Sequence, residues 1–168
     1  GPLVVFFHQG GFVLGRPEWA TSFAATLVGT LGARVVAPTY PLAPERPLPD
    51  IADAALELAR AAVKAAPTWG ATTERWAVAG VSAGGNLAAS VTQRLPLDER
   101  PAAQLLVHPL LDLATDAQSR TELAYAHPVS AGFFEWARAL AVPSGLDRWD
   151  PAISPLHHPR LDGLPPAV

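Results

Sequence analysis

The stretch Gly80-Val81-Ser82-Ala83-Gly84-Gly85-Asn86 constrains the fold more than any other part of the chain. An apolar run, Trp76-Ala77-Val78-Ala79, precedes it, and a helix-like run, Asn86-Leu87-Ala88-Ala89-Ser90-Val91, follows. A strand, a sharp turn and a helix with a serine at the apex is the setting of a nucleophile elbow, G-x-S-x-G. So tight a turn brings the two backbones together, and side chains at positions 80 and 84 would collide. The strained apex pushes Ser82 Oγ out of the sheet, where a carbonyl and a base can reach it. The helix start adds free N–H groups and the positive end of a dipole. Three fixed positions recur by chance in roughly one chain in twenty of this length. The bland alternative is a Gly-rich strand–helix turn in an α/β protein, so the rest of the chain must decide.

Taken in order, the chain alternates strand-like and helix-like segments. Leu3-Val4-Val5-Phe6-Phe7 is a continuous apolar run, as in a strand buried on both faces of a parallel sheet. His8-Gln9-Gly10-Gly11-Phe12 follows. Adjacent glycines at a strand end can turn N–H groups towards an anion, or simply make a turn. Residues 18–31 place Trp19, Phe23, Leu27 and Leu31 at helical spacing, with Gly32 as the stop. A short strand over 33–37 leads into the proline-stiffened loop Tyr40-Pro41-Leu42-Ala43-Pro44-Glu45. Asp50 reads as the N-cap of a helix over 51–65. Residues 75–80 form the strand before the elbow, 83–94 the helix after it, and 104–108 a fourth strand. Ser130 reads as the cap of a helix carrying Phe133, Phe134, Trp136 and Leu140, and 148–166 as a Pro-rich connection.

This order predicts an α/β fold, a mostly parallel sheet with right-handed crossovers and helices on both faces. Ligands of such sheets bind at the carboxyl ends of the strands. Segments 8–11, 40–45, the elbow and 108–112 all fall there.

Composition narrows the function classes. The 168 residues suffice for one core. They are 49% hydrophobic and 16% charged, with a net charge of −3, a soluble globular profile without a basic patch for nucleic acid. The lack of cysteine excludes disulfides and thiolate metal sites. No apolar stretch is long enough to span a bilayer, and residues 1–15 lack the basic start of a signal peptide. A cytoplasmic location is the default expectation. No cofactor or metal ion is implied. The chain opens almost inside a strand and stops as another begins, so it is expected to be a segment of a longer protein.

Three motifs in order make the chain resemble the hormone-sensitive-lipase-like branch of the α/β-hydrolases. His8-Gln9-Gly10-Gly11-Phe12 resembles that branch's HGGGF, Tyr40 to Glu45 its YRLAPE, and Gly80 to Leu87 its GDSAGGNL. Weaker echoes are His108-Pro109-Leu110-Leu111-Asp112, Ile153-Ser154-Pro155-Leu156 and Leu161-Asp162-Gly163-Leu164-Pro165-Pro166. The resemblance implies an incomplete α/β-hydrolase domain over 1–168. Its sheet order would be 33–37, 3–7, 75–80, 104–108, and residues 113–147 would contribute to a cap over the site. Phe133, Phe134 and Trp136 would line an acyl pocket or pack as helix core. The implied activity is that of a serine esterase, carboxylesterase- or lipase-like, on small carboxylic esters. Ser82 would be the nucleophile, with an oxyanion hole from the N–H groups of Ala83, Gly10 and Gly11. His8, Tyr40 and Glu45 would order their loops.

The chain departs from the pattern in three places. Gln9 replaces the first glycine of HGGG, and Val81 the aspartate before the serine. The third departure concerns the triad, whose order in this fold is Ser, acid, His. The resemblance puts acid and histidine beyond Val168, so these residues alone are expected to be inactive, with exposed sheet edges and poor solubility. His108 stands where the branch usually has tyrosine and reads as a packed or hydrogen-bonded residue. His157 and His158 read as a solvated loop pair, and Asp112, Asp147, Asp150 and Asp162 as caps or surface charges. Two other readings stay open: a non-catalytic, receptor-like binder of small molecules, and an amidase or peptidase.

Overall fold

In the computed structural model, four parallel strands form one sheet in the order β2-β1-β3-β4. The described residues are 1–122, 124–125 and 129–168. The strands are β1 (Pro2–Phe7), β2 (Arg34–Val36), β3 (Thr72–Val81) and β4 (Ala103–Val107). This is the expected order, with each strand within a few residues of its expected span. The helices are α1 (Thr21–Leu31), α2 (Leu48–Ala65), α3 (Ala83–Arg94), α4 (Gln118–Glu122) and α5 (Ala131–Ala141), with a 3-10 turn, Pro17–Ala20, leading into α1.

Alternation along β1 sorts the helices onto two faces. Leu3, Val5 and Phe7 enter the larger core with Ile51, Ala55 and Ala59 of α2 and Leu87 and Val91 of α3. Val4 and Phe6 enter the smaller one with Ala79, Val81 and, from α1, Leu27. The two layers differ in depth. Seven α2 residues are buried, whereas no residue of α1 is.

Several helix ends follow the sequence and one does not. Gly32 closes α1 in the left-handed region at φ 61°, and Ser130 Oγ accepts a hydrogen bond from Phe133 N at 3.2 Å. Asp50 is not the cap of α2. That helix starts three residues earlier than expected, at Leu48, with extended Pro47 at the cap and Pro49 in the first turn. Proline fixes its own φ near the helical value and has no N–H to leave unpaired, so it starts a helix without a capping side chain. Asp50 instead pairs with Arg46 at 3.6 Å.

Register decides what shares an edge. Phe7 is level with Gly80 and Gly80 with Leu106, so β1, β3 and β4 release the chain at one height. The outer edge of β4 is not bare as expected. Gln104 N and Leu106 N donate to the Pro166 and Val168 carbonyls at 2.9 and 2.7 Å.

Candidate active site

Ser82 ends the strand and caps the helix at once. Its backbone sits at φ 55°, ψ −116°, outside the regions an L-residue prefers, and α3 begins at the next residue. The strain is held by packing. A Cβ on Gly80 would collide with the Gly84 carbonyl oxygen, and one on Gly84 with that of Phe7. Strand β1 therefore runs directly under the first turn of α3. Ser82 N donates to Val107 O at 3.0 Å, and Leu110 N donates to Ser82 O at 3.2 Å, which fixes the apex to the end of β4.

The glycine loop after β1 approaches from the other side. Gly10 and Gly11 both have positive φ, 136° and 63°. Val13 N and Leu14 N donate to Gly10 O at 3.1 and 2.9 Å, while the N–H groups of Gly10 and Gly11 meet no acceptor among the described residues. The Ala83 N–H is also without one. His8 and Tyr40 fasten this loop. Their rings stack at 4.2 Å, and the buried Tyr40 hydroxyl donates to His8 O at 2.7 Å. Ala43 N donates to Phe12 O at 2.8 Å. Burial lowers the His8 pKa, although its contact with Gln9 O and the charge of Glu18 pull the other way. Burial likewise raises that of Tyr40. Glu45, expected to help lock the loop, is exposed and makes no described bond.

Ser82, Gly10 and Gly11 line one cavity of about 640 Å³. Its other walls are Phe133, Phe134, Ala137 and Arg138 of α5, Leu110 and Leu113 after β4, and Trp19 and Phe23 on the α1 side. The chain thus brings together the elbow, the glycine loop and two of the three expected aromatics of α5. Trp136 stays outside, half exposed. Residues 123 and 126–128 of the expected cap segment lie outside the described residues.

The wall also holds residues that sequence reasoning missed. Trp19 and Phe23 were legible only as a helix stripe, because spacing does not distinguish a core from a pocket. Arg138 carried no motif. It pairs with Glu135 and with Asp116 (3.3 Å), and its guanidinium lies over the Phe134 ring at 5.9 Å.

Two histidines differ from expectation. His108 is exposed on the cavity wall at φ 34°, not packed, and no described group bonds its ring. Proline at 109 cannot extend the strand, so the chain turns away at His108 with the ring outside the core. His157 is no solvated loop residue either. Its Nε2 lies 3.1 Å from Asp112 Oδ1, and its ring packs on Trp149 at 4.5 Å. His158 is half-buried, with its Nδ1 2.7 Å from Arg160 O. Asp112, Asp147 and Asp150 accept bonds from backbone N–H groups two residues on, as turn caps do. Burial would raise the Asp112 pKa, but hydrogen bonds from Thr115, Ala114 and His157 outweigh it and hold the carboxyl well below its usual range.

Two of the three weak echoes, 108–112 and 153–156, meet in one buried network. Asn86 Nδ2 donates to Leu110 O at 2.7 Å and to Ile153 O at 2.9 Å, and Ser154 Oγ accepts from Leu113 N at 2.9 Å. The first turn of α3, the segment after β4 and residues 153–154 are stitched together behind the cavity.

Comparison with known proteins agrees with this construction. The chain is 30% identical over 159 residues to an ethyl acetate hydrolase of Pseudomonas putida, matching 93% of this chain and 50% of that protein. It is 34% identical over 174 residues to an acetyl-hydrolase of Streptomyces hygroscopicus, matching 100% and 55%. A hyperthermophilic esterase of Pyrobaculum calidifontis superposes with a TM-score of 0.92 at 33% identity, over 99% of this chain and 54% of its own. The chain spans about half the length of the curated relatives it matches. Residues 4–168 match the α/β hydrolase fold family. With the elbow, the glycine loop and the parallel sheet in place, the chain belongs to that family, in its hormone-sensitive-lipase-like branch.

Proposed function

We propose that this chain carries the nucleophile and the oxyanion-binding groups of a carboxylic ester hydrolase acting on small, short-acyl esters. Ser82 Oγ attacks the ester carbonyl and gives up its proton. The alcohol leaves, and water then attacks the acyl-Ser82 ester to release the acid and restore the hydroxyl. The N–H groups of Ala83, Gly10 and Gly11 hold the developing oxyanion, each contributing about 3–4 kcal/mol in the transition state. Residues 113–147 belong to a cap, with Phe133 and Phe134 against the acyl group.

One observation carries the reading. A serine in a strained elbow and a glycine loop whose N–H groups have no acceptor among the described residues line the same cavity. The relatives' names, ethyl acetate hydrolase and acetyl-hydrolase, support the substrate class. The proton acceptor belongs to the same proposal. No described hydrogen bond joins a histidine to the Ser82 hydroxyl. The acid and histidine are those that the resemblance puts later in the chain. Residues 1–168 on their own then keep at most the acceleration of roughly 10³–10⁴ that an oxyanion hole and binding leave without a triad.

A fluorophosphonate probe tests this on the native gene product. A single adduct mapped to Ser82, absent from Ser82→Ala, is the expected result. A folded protein that takes no adduct would overturn the hydrolase reading in favour of the binding module.

A further inference from the structure

We propose that His108 is a substrate-contacting residue that gives the site a preference for esters bearing a carboxylate away from the scissile bond. The inference rests on the ester hydrolase reading.

Placement comes first. His108 lies between two backbone bonds to the nucleophile residue, Ser82 N to Val107 O (3.0 Å) and Leu110 N to Ser82 O (3.2 Å). It lines the cavity with Ser82. Its φ of 34° is a left-handed value that costs a side-chain-bearing residue energy. Strain of this kind gathers at sites where a side chain has to be aimed.

Partnership comes second. The other described histidine rings all have neighbours: Tyr40 for His8, Asp112 for His157 and Arg160 for His158. His108 is exposed and has none among the described residues.

Charge comes third. No described carboxylate lines the cavity, and among the described residues its only ionisable wall residues are His108 and Arg138. Arg138 is already matched by Glu135 and Asp116. What faces the site is Gln9 from the glycine loop, Trp19 and Phe23 from the α1 side, and Phe133 and Phe134 from α5. None of them is acidic. The wall therefore offers donors, with the positive end of α3 behind them and, among the described residues, no anion to repel another. An imidazole donates a hydrogen bond in either charge state. A carboxylate at this exposed position keeps much of its water and gains a partner. A neutral alkyl chain gains nothing from His108.

The experiment compares kcat/KM of the full-length native protein for monomethyl succinate and for methyl pentanoate. His108→Asn removes the imidazole with a residue that accepts left-handed backbone, and His108→Lys keeps a donor and a cation. Fluorophosphonate labelling of Ser82 reports that each variant has a formed site. An exposed charge contact is worth up to about a fivefold rate ratio. The succinate-to-pentanoate ratio is expected to fall about fivefold in His108→Asn, mostly through KM, and to hold or rise in His108→Lys. A ratio unchanged in His108→Asn, or lost equally in both variants, overturns the inference alone. No turnover of either ester and no labelling of the wild type overturns the hydrolase reading and this inference with it.

Discussion

Asn86 shows how one buried side chain holds the site from behind. It is fully buried, and its amide nitrogen serves two carbonyls from different segments, Leu110 and Ile153. Leu110 is a wall residue two positions from His108, so the staple sets how the end of β4 meets the cavity. Replacing a buried donor leaves its acceptors unsatisfied at a cost of about 1–3 kcal/mol each. Asn86→Ala is therefore expected to lower stability by about 2–6 kcal/mol, seen as a lower denaturation midpoint at an unchanged m-value. A loss below about 0.5 kcal/mol, the scale of an ordinary surface substitution, would show that the network does not hold the loop. Ser82 depends on the same logic. Its backbone is strained at φ 55°, and strain persists only where surrounding contacts over-determine it.

Among the elements, legibility in the sequence followed burial. Strand β1, the second half of β3 and α3 were readable because they are buried on both sides, and the half-buried β2 and β4 were readable from short apolar runs alone. A continuous apolar run ending in a glycine turn has few other ways to be satisfied. The elbow and the glycine loop were readable as motifs because each glycine answers a steric demand that the structure confirms at positions 80 and 84. Helix α1 was readable as a helix but not for what its stripe does. Phe23 touches Phe6 at a ring distance of 5.6 Å while also lining the cavity, and period alone cannot split those roles. The start of α2 was misplaced because Asp50 has the right chemistry for a cap, whereas the local φ is set by Pro47 and Pro49. His157 was misjudged because its partner, Asp112, is distant in sequence. Helix α5 was legible down to its cap, and the cap is testable. Ser130→Ala removes the bond to Phe133 N and is expected to cost about 1 kcal/mol. The opening is local, so amides in the first turn of α5 should exchange about fivefold faster, with strand amides unchanged. Equal exchange in both proteins would mean that packing of Phe133 and Phe134, not the cap, fixes that turn.

At the scale of the whole molecule, acid stability joins the loop lock to the network behind the site. His8 is buried with its ring stacked on Tyr40, and its pKa lies below the ordinary 6.5, burial being the largest cause. The unfolded chain therefore takes up a proton near pH 6.5 that the folded chain accepts only at lower pH. Stability rises with pH wherever the unfolded state binds more protons, by up to about 1.4 kcal/mol per pH unit for one group. The His8 contribution is complete above pH 6.5 and is lost as pH falls through its folded value. Asp112 has the same sign lower down, because its carboxyl is held below the ordinary 3.8 by the hydrogen bonds of Thr115, Ala114 and His157 against the opposing effect of burial. Its contribution is complete above pH 3.8 and lost below it. Two separate declines in the unfolding free energy are expected as pH is lowered, one starting near 6.5 and one near 3.8. His8→Gln, which cannot take up the proton, should remove the first and leave the second, at some cost in stability at neutral pH from the lost stack. Denaturant titrations from pH 8 to pH 3 on both proteins would read this directly. A first decline that survives in His8→Gln would move its origin away from the glycine loop, and the Tyr40 lock would then be a packing contact without a role in acid sensitivity.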